Sequence, residues 1–513
     1  MDNNKLNGIS RRDFVKKTSL LGSALAASTS GLANITGSLL PSDTHTQEGR
    51  KTQHSRPAER PMIGLQTGVG TFAGPAMLPF LDDIQSRAYV NTLFPFMFTY
   101  IASRVGPHIK NFHGGDYATV HTQYYKDIYL NPSTLRAPEF GKVDFLAVLI
   151  PEAKKRNMKI FPYILEDNRR PLYVEGMDQL YEIDLYGRRA TRHPAGPCYN
   201  NPYYQNLMLG LVEDYSRSYD IDGIMWGAER QGPMNNALGA YHHGIRSDPG
   251  RVTCFCPYCV AKAKKQGIDV NRVKQGFQAL EQFVNNGRKG QRPGNGYYVT
   301  FWSILLKFPE VLIWEAFWAE SLRTFQENLS KKAKSVNPAL QIGFHLWHNI
   351  SFNPIYRAEQ DYQQYAGFSD FIEPVLYNHC AGERMASYVD SVSQNLYGDF
   401  NKEQATELSY RMLNYQEKPY DQLAKTGFSG DYVFRETKRA KDDLNTSKTQ
   451  VWPGIGIDVP APTPSTSEIV KNAVLAAIKG GADGVLLSRK YDEMKPDHLS
   501  SAGEAIREMG YNS

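Results

Sequence analysis

Short apolar runs rich in β-branched and aromatic residues alternate along the chain with stretches whose apolar positions recur at helical spacing. Eight runs read as strands: Met62–Gln66, Val90–Phe98, Lys159–Leu165, Ile221–Trp226, Leu340–Leu346, Asp370–Tyr377, Gln450–Ile457 and Gly484–Ser488. Between them, 144–156 and 206–219 carry helical spacing, and 301–334 is a long, aromatic-rich helical stretch. Ser465-Thr466-Ser467-Glu468 is a capping box that opens a helix over 469–479, and Gly480-Gly481 stop it before the last strand. Strand and helix repeated eight times predicts an α/β fold, a (β/α)8 TIM barrel over residues 62–513. Long insertions fall after strand four, about 227–339, and after strand six, about 378–449. Insertions at strand ends are where a barrel builds its site. A doubly wound open sheet would want a glycine-rich phosphate loop after the first strand. Gly68-Val69-Gly70 followed by Gly74 fits that pattern only in part, and it reads as a loop.

The 513 residues are 41% hydrophobic, which excludes wholesale disorder, and no run of 18 apolar residues offers a membrane span. A net charge of +5 with both signs interspersed leaves no nucleic-acid footprint. The pattern specifies no oligomeric state. At the N-terminus, Ser10-Arg11-Arg12-Asp13-Phe14-Val15-Lys16 precedes a mild apolar run over 19–27, and Ala24-Leu25-Ala26 supplies a small-x-small cleavage pattern. This segment resembles a twin-arginine export signal. The resemblance implies a signal peptide over 1–26, a linker over 27–61, contact with the twin-arginine export machinery, and a periplasmic or secreted protein. No Cys follows the apolar run, so no lipid anchor is expected.

Three of the five cysteines, Cys254, Cys256 and Cys259, form a C-x-C-x-x-C knuckle, which cannot pair fully with itself. A tetrahedral thiolate site needs four soft ligands, and Cys198 is the natural fourth, with Cys380 far away in sequence. That reading implies a structural zinc with no vacant coordination position. One or two disulfides, as an oxidising compartment favours, are the competing reading. No organic cofactor is expected.

Catalytic groups in this fold project from the C-terminal ends of strands. Strand three ends in Glu166-Asp167, strand four in Trp226 and Glu229, strand five in His345 and His348, strand six in Tyr377-Asn378, strand seven in Asp458, and strand eight in Arg489 and Tyr491. Carboxylates ending strands four and seven can face each other across a bound sugar, as glycosidic cleavage requires. The arrangement resembles the retaining glycoside hydrolases of the large barrel clan whose acid/base and nucleophile end those two strands. That resemblance implies Glu229 as acid/base and Asp458 as nucleophile, although Ala228 stands where the clan has Asn and Asp458 where it has Glu. The cysteine knuckle is similar to the zinc site of trimeric β-galactosidases of the same clan. The expected substrate is a carbohydrate. Glu166, Asp167, Trp226, His345, His348, Tyr377, Asn378, Arg489 and Tyr491 are expected to contact it, the aromatics by stacking on a sugar face. Glu373, inside strand six, is the other candidate for the second carboxylate. Two rivals are a carbohydrate-binding barrel without turnover and a metal-dependent hydrolase or lyase built on His345 and His348. Asp222 and Asp483, at strand starts, belong to the stability face.

Overall fold

The computed structural model describes residues 60–511 apart from 73–75, 100–114, 139–140, 167–173, 190–195 and 243–251. The signal peptide and nearly all of the linker read from the sequence, residues 1–59, lie outside the described residues. No helix among the described residues is long and apolar enough to cross a membrane.

All eight expected strands form. They are β1 (Met62–Thr67), β2 (Thr92–Thr99), β3 (Lys159–Ile160, continued by Tyr163–Glu166), β4 (Gly223–Ala228), β5 (Gln341–Leu346), β6 (Phe371–Pro374), β7 (Gln450–Val451, continued by Gly454–Gly456) and β8 (Gly484–Ser488). Each pairs in parallel with its sequence neighbours, and β8 pairs with β1. β7 breaks at Trp452-Pro453, because proline has no N–H to give to the ladder. Its first piece bonds β6 and its second bonds β8, so the path of strands returns on itself. Helices fill the connections, among them Met77–Ala88, Phe145–Lys154, Pro202–Ser218, Glu310–Val336, Gly430–Asp443, Ser467–Lys479 and Pro496–Glu508. The insertion after β4 adds the helices Pro257–Lys265, Val270–Arg288 and Tyr297–Lys307.

Strand alternation sets what faces inward. Phe94, Phe161, Met225, Phe371, Trp452 and Leu486 cluster inside the barrel, with Trp452 stacked on Phe371 at 3.9 Å between ring centroids. This apolar plug fills the barrel interior, so polar groups gather one layer above it. At the opposite end, Asp222, Asp370 and Asp483 each accept a backbone N–H at 2.8 Å from the preceding strand, at Ile160, Ile342 and Val451. These acids tie strand starts together, as the assignment of Asp222 and Asp483 to the stability face expects, and Asp370 does the same.

Candidate active site

One layer above the plug, the same alternation points four polar side chains inward. Glu373 and Ser488 stand two residues beyond Phe371 and Leu486, on β6 and β8, and Gln66 and His345 take the matching places near the ends of β1 and β5. The Glu373 carboxylate is fully buried. Its Oε1 accepts from Gln66 Nε2 at 3.1 Å and from Ser488 Oγ at 3.5 Å, while its Oε2 meets His345 Nδ1 at 2.6 Å. Glycines make the room. A Cβ at Gly227 would stand 2.7 Å from His345 Cβ, and one at Gly454 would strike the Glu373 carboxylate.

Across the imidazole, His345 Nε2 has no hydrogen-bond partner among the described residues and lies 4.0 Å from Glu229 Oε1. Glu229 follows β4 and keeps 23% of its side chain exposed, so it is the member of this line that solvent reaches. Burial works against the charged imidazole, but Glu373 and then Glu229 outweigh it and hold His345 above its ordinary value. Tyr377 packs beside this line against Gly456, with its phenol pushed well up by burial and by Glu373. The structure therefore brings Glu229, His345, Glu373 and Tyr377 together at the C-terminal mouth.

The other expected site residues lie elsewhere. Asp458 adopts a left-handed backbone (φ +52°), which ends the alternation of β7. Its Oδ2 accepts from the Lys495 N–H at 2.9 Å, and His498 Nδ1 lies 2.9 Å from Oδ1 and 3.0 Å from Oδ2. Both oxygens are thus turned to Lys495 and His498 at the start of the Pro496–Glu508 helix; this corrects its reading as nucleophile. Trp226 alternates with the inward Met225 and Gly227, so it points outward and packs on Tyr199, Phe325 and Phe344; it is core, not a stacking platform.

Glu166 is likewise outward and buried, bonded by Tyr199, Tyr204 and Arg230. Burial pushes it up to about 7 against the pull of Arg230. Arg230 also pairs with Glu182 at 2.7 Å, so this acid belongs to a buried ionic network and not to a sugar site. Asp167 lies outside the described residues. His348 is held by Tyr432 at 3.1 Å and by Arg384, while His345 is bonded to Glu373, so among the described residues the two histidines of the rival metal reading do not join one group of possible metal ligands. Tyr491 lies against Phe80 and donates to Asp83 at 3.0 Å, on the Met77–Ala88 helix. Arg489 is bound to Glu493 through two bonds of 2.8 and 2.9 Å. Asn378, buried, opens the Asn378–Val392 helix and lines a cavity with Glu417, Glu468 and Asn472.

Sequence reasoning missed Gln66 and Ser488, although the period-two alternation placed both on the inward face. It also missed Glu315 and Glu359, two buried carboxylates that grip the backbone and Asn235 just after Glu229. Burial pushes Glu315 up to about 7, and burial together with the neighbouring Glu315 raises Glu359.

A second centre lies in the loops behind β3 and β4. The sulfurs of Cys198, Cys254, Cys256 and Cys259 are buried, unbridged, and within 4.8 Å of one another. Cys198 stands 3.5 Å from Cys256 and 3.4 Å from Cys259. A tetrahedron of thiolates at about 2.3 Å from a zinc ion puts its sulfurs roughly 3.8 Å apart, so the donor set and its spacing fit such an ion. Asn200 Nδ2 donates to Cys259 Sγ at 3.3 Å, and Lys262 donates to Asn200 Oδ1 at 2.8 Å, placing an ammonium beside the thiols. The group can hold a metal ion. Cys380 stands apart, with its thiol donating to the Tyr377 carbonyl at 3.4 Å.

No protein-family model and no curated protein matches the chain. Solved structures do match. They include α-L-fucosidase isoenzyme 2 from Paenibacillus thiaminolyticus, at 12% identity over 88% of this chain and 49% of that one, with a TM-score of 0.44. A β-galactosidase from the psychrophilic Marinomonas ef1 matches at 10% identity over 88% and 59%, with a TM-score of 0.48. A polyextremophilic β-galactosidase from Halorubrum lacusprofundi matches at 13% identity over 88% and 58%, with a TM-score of 0.47. The chain thus spans between half and three-fifths of the length of those structures. The barrel itself rests on the strand order and pairing described above.

Proposed function

We propose that this protein is a glycoside hydrolase that cleaves an O-glycosidic bond at the mouth of its barrel, with Glu229 as acid/base. The line Glu229, His345, Glu373 carries the reading. A reachable carboxyl at the end of β4 stands 4.0 Å from an imidazole that a buried carboxylate locks at 2.6 Å. Glu373 fixes the ring and favours its protonated form, as the buried acid does for the histidine of a catalytic triad. Glu229 gives its proton to the leaving oxygen as the glycosidic C–O bond breaks. A water molecule adds to the anomeric carbon, and the proton it sheds returns to the Glu229 carboxylate, which His345 Nε2 faces at 4.0 Å. Glu373 itself touches no solvent and acts through His345. Tyr377, beside the line, is read as a contact to the sugar.

The thiol centre is read as a structural zinc site with all four positions filled by protein, so it takes no part in the cleavage. Export by the twin-arginine route belongs to the same reading, since a metal can be loaded before a folded chain is moved. One observation favours a second reading, a carbohydrate-binding barrel without turnover: Asp458 is bonded to the C-terminal helix, which leaves Glu229 without the partner that double displacement needs.

Hydrolysis of a panel of aryl glycosides and polysaccharides by the wild type and Glu229→Gln decides between them. Loss of general acid catalysis predicts a fall of about 10²–10⁴ in turnover of unactivated substrates. Undiminished turnover in a folded Glu229→Gln variant sinks the assignment. Binding of a glycan with no turnover by the wild type favours the second reading.

A further inference from the structure

The insertion after β4 leaves an apolar face uncovered. On the helix Tyr297–Lys307, Tyr298, Trp302 and Leu306 recur at every fourth position, and Leu306 is 80% exposed. Val299 on the same helix, and Leu312 and Ile313 in the first turn of the next, are 42–53% exposed beside them. These six leave roughly 600 Å2 of apolar surface in contact with solvent, the upper end of what a monomer carries.

We propose that this face is the two-fold interface of a homodimer. The stripe 298, 302, 306 is symmetric about its centre. Two such helices packed antiparallel set Trp302 against Trp302 at the axis and Tyr298 of each copy against Leu306 of the other. Rows at i and i+4 are the ridges that interdigitate in the commonest helix packing. Burying the face on both copies removes about 1,200 Å2 from water, which reaches the range of specific interfaces. A lipid surface is the poorer occupant, because membrane-lying helices flank their apolar face with several Lys and Arg. Over 297–307 the only charged residue is Lys307.

Sedimentation equilibrium of the full chain, with its thiol centre intact, tests this. The expected mass is twice that of the 57.9 kDa chain. Trp302→Glu sets two charges face to face at the axis and is expected to weaken the dimer at least a hundredfold while leaving circular dichroism unchanged. Tyr298→Lys and Leu306→Glu should each give monomer, and the double variant should regain the dimer, since each new lysine then meets the partner's new glutamate. Three results overturn the proposal: a wild type that is monomeric at every soluble concentration, a dimer indifferent to Trp302→Glu, or a double variant that stays monomeric. A monomer that floats with phosphatidylglycerol vesicles, and ceases to do so as Trp302→Glu, assigns the face to a membrane and overturns it as well.

Discussion

Replacing Glu373 by Gln keeps the shape of the buried side chain and removes its charge, which tests directly whether this carboxylate sets the state of His345. With Nδ1 and Oε2 at 2.6 Å, the two charge centres are close to 4 Å apart, where the attraction is about 4 kcal/mol at an effective dielectric of 20. Removing that attraction takes away the main support of the charged ring, so the variant should lower the titration of His345. Burial then opposes the charged ring with only Glu229 against it, and His345 should fall below the ordinary value of about 6.5. Stability follows with opposite signs in the two proteins. The wild-type group is raised on folding, so its contribution is full below about 6.5 and is lost as pH rises through the native value. In the variant the group is lowered, so the contribution is full above about 6.5 and is lost as pH falls. The assay is an imidazole ¹⁵N titration, assigned among the 12 histidines with His345→Gln, beside denaturant unfolding across the same pH range. A His345 titration unmoved by Glu373→Gln, with the pH dependence of stability unchanged in sign, refutes the reasoning.

Three further outcomes follow from the placements described above. Trp226→Ala should cost about 3–5 kcal/mol in denaturant unfolding as a cavity in the core, with glycan binding by the folded fraction unchanged; lost binding with stability intact would restore its reading as a sugar platform. Asp458→Ala should lower stability by about 1–3 kcal/mol through the unpaired Lys495 N–H and His498, with turnover held within a factor of ten, whereas abolished turnover at full stability would return it to the chemistry. Atomic emission should find equimolar zinc on the purified chain, lost together with stability in Cys259→Ser; thiols that titrate as disulfides with no metal bound would exclude the site.

The barrel was legible because strand and helix leave different periods, and all eight strands sit on the short apolar runs that break the helical spacing. The site was legible by strand end but not by direction. Glu229 and Trp226 are three residues apart on one strand end, so alternation sends them to opposite faces, and reading both as site residues mistook the end of a strand for one side of it. The same count turns Glu166 outward, because Phe161 and Tyr163 already face in. Asp458 is the reverse case: alternation aims it inward, but its left-handed backbone ends the strand first, and no pattern of apolar residues announces that turn. His348 could not be placed, since the residues that hold it, Arg384 and Tyr432, come from the long insertion after β6. The thiol centre was the most legible part because three of its four ligands lie within six residues, and chemistry alone asks for the fourth.

That division of ligands has a kinetic meaning. Cys254, Cys256 and Cys259 ride on a short turn that opens the helix Pro257–Lys265, so they can gather a thiophilic ion while the rest of the chain is still unfolded. Cys198 comes from the connection between β3 and β4, two strands that lie side by side in the barrel, and its arrival would complete the set. The unfolded chain therefore offers a three-toothed grip, and the finished barrel a closed one. An ion held by the four thiols would exchange quickly before that closure and slowly after it, so its off-rate clocks the joining of the third and fourth strands and lets a chain with a misassembled barrel be told from a sound one by how soon it gives up its metal.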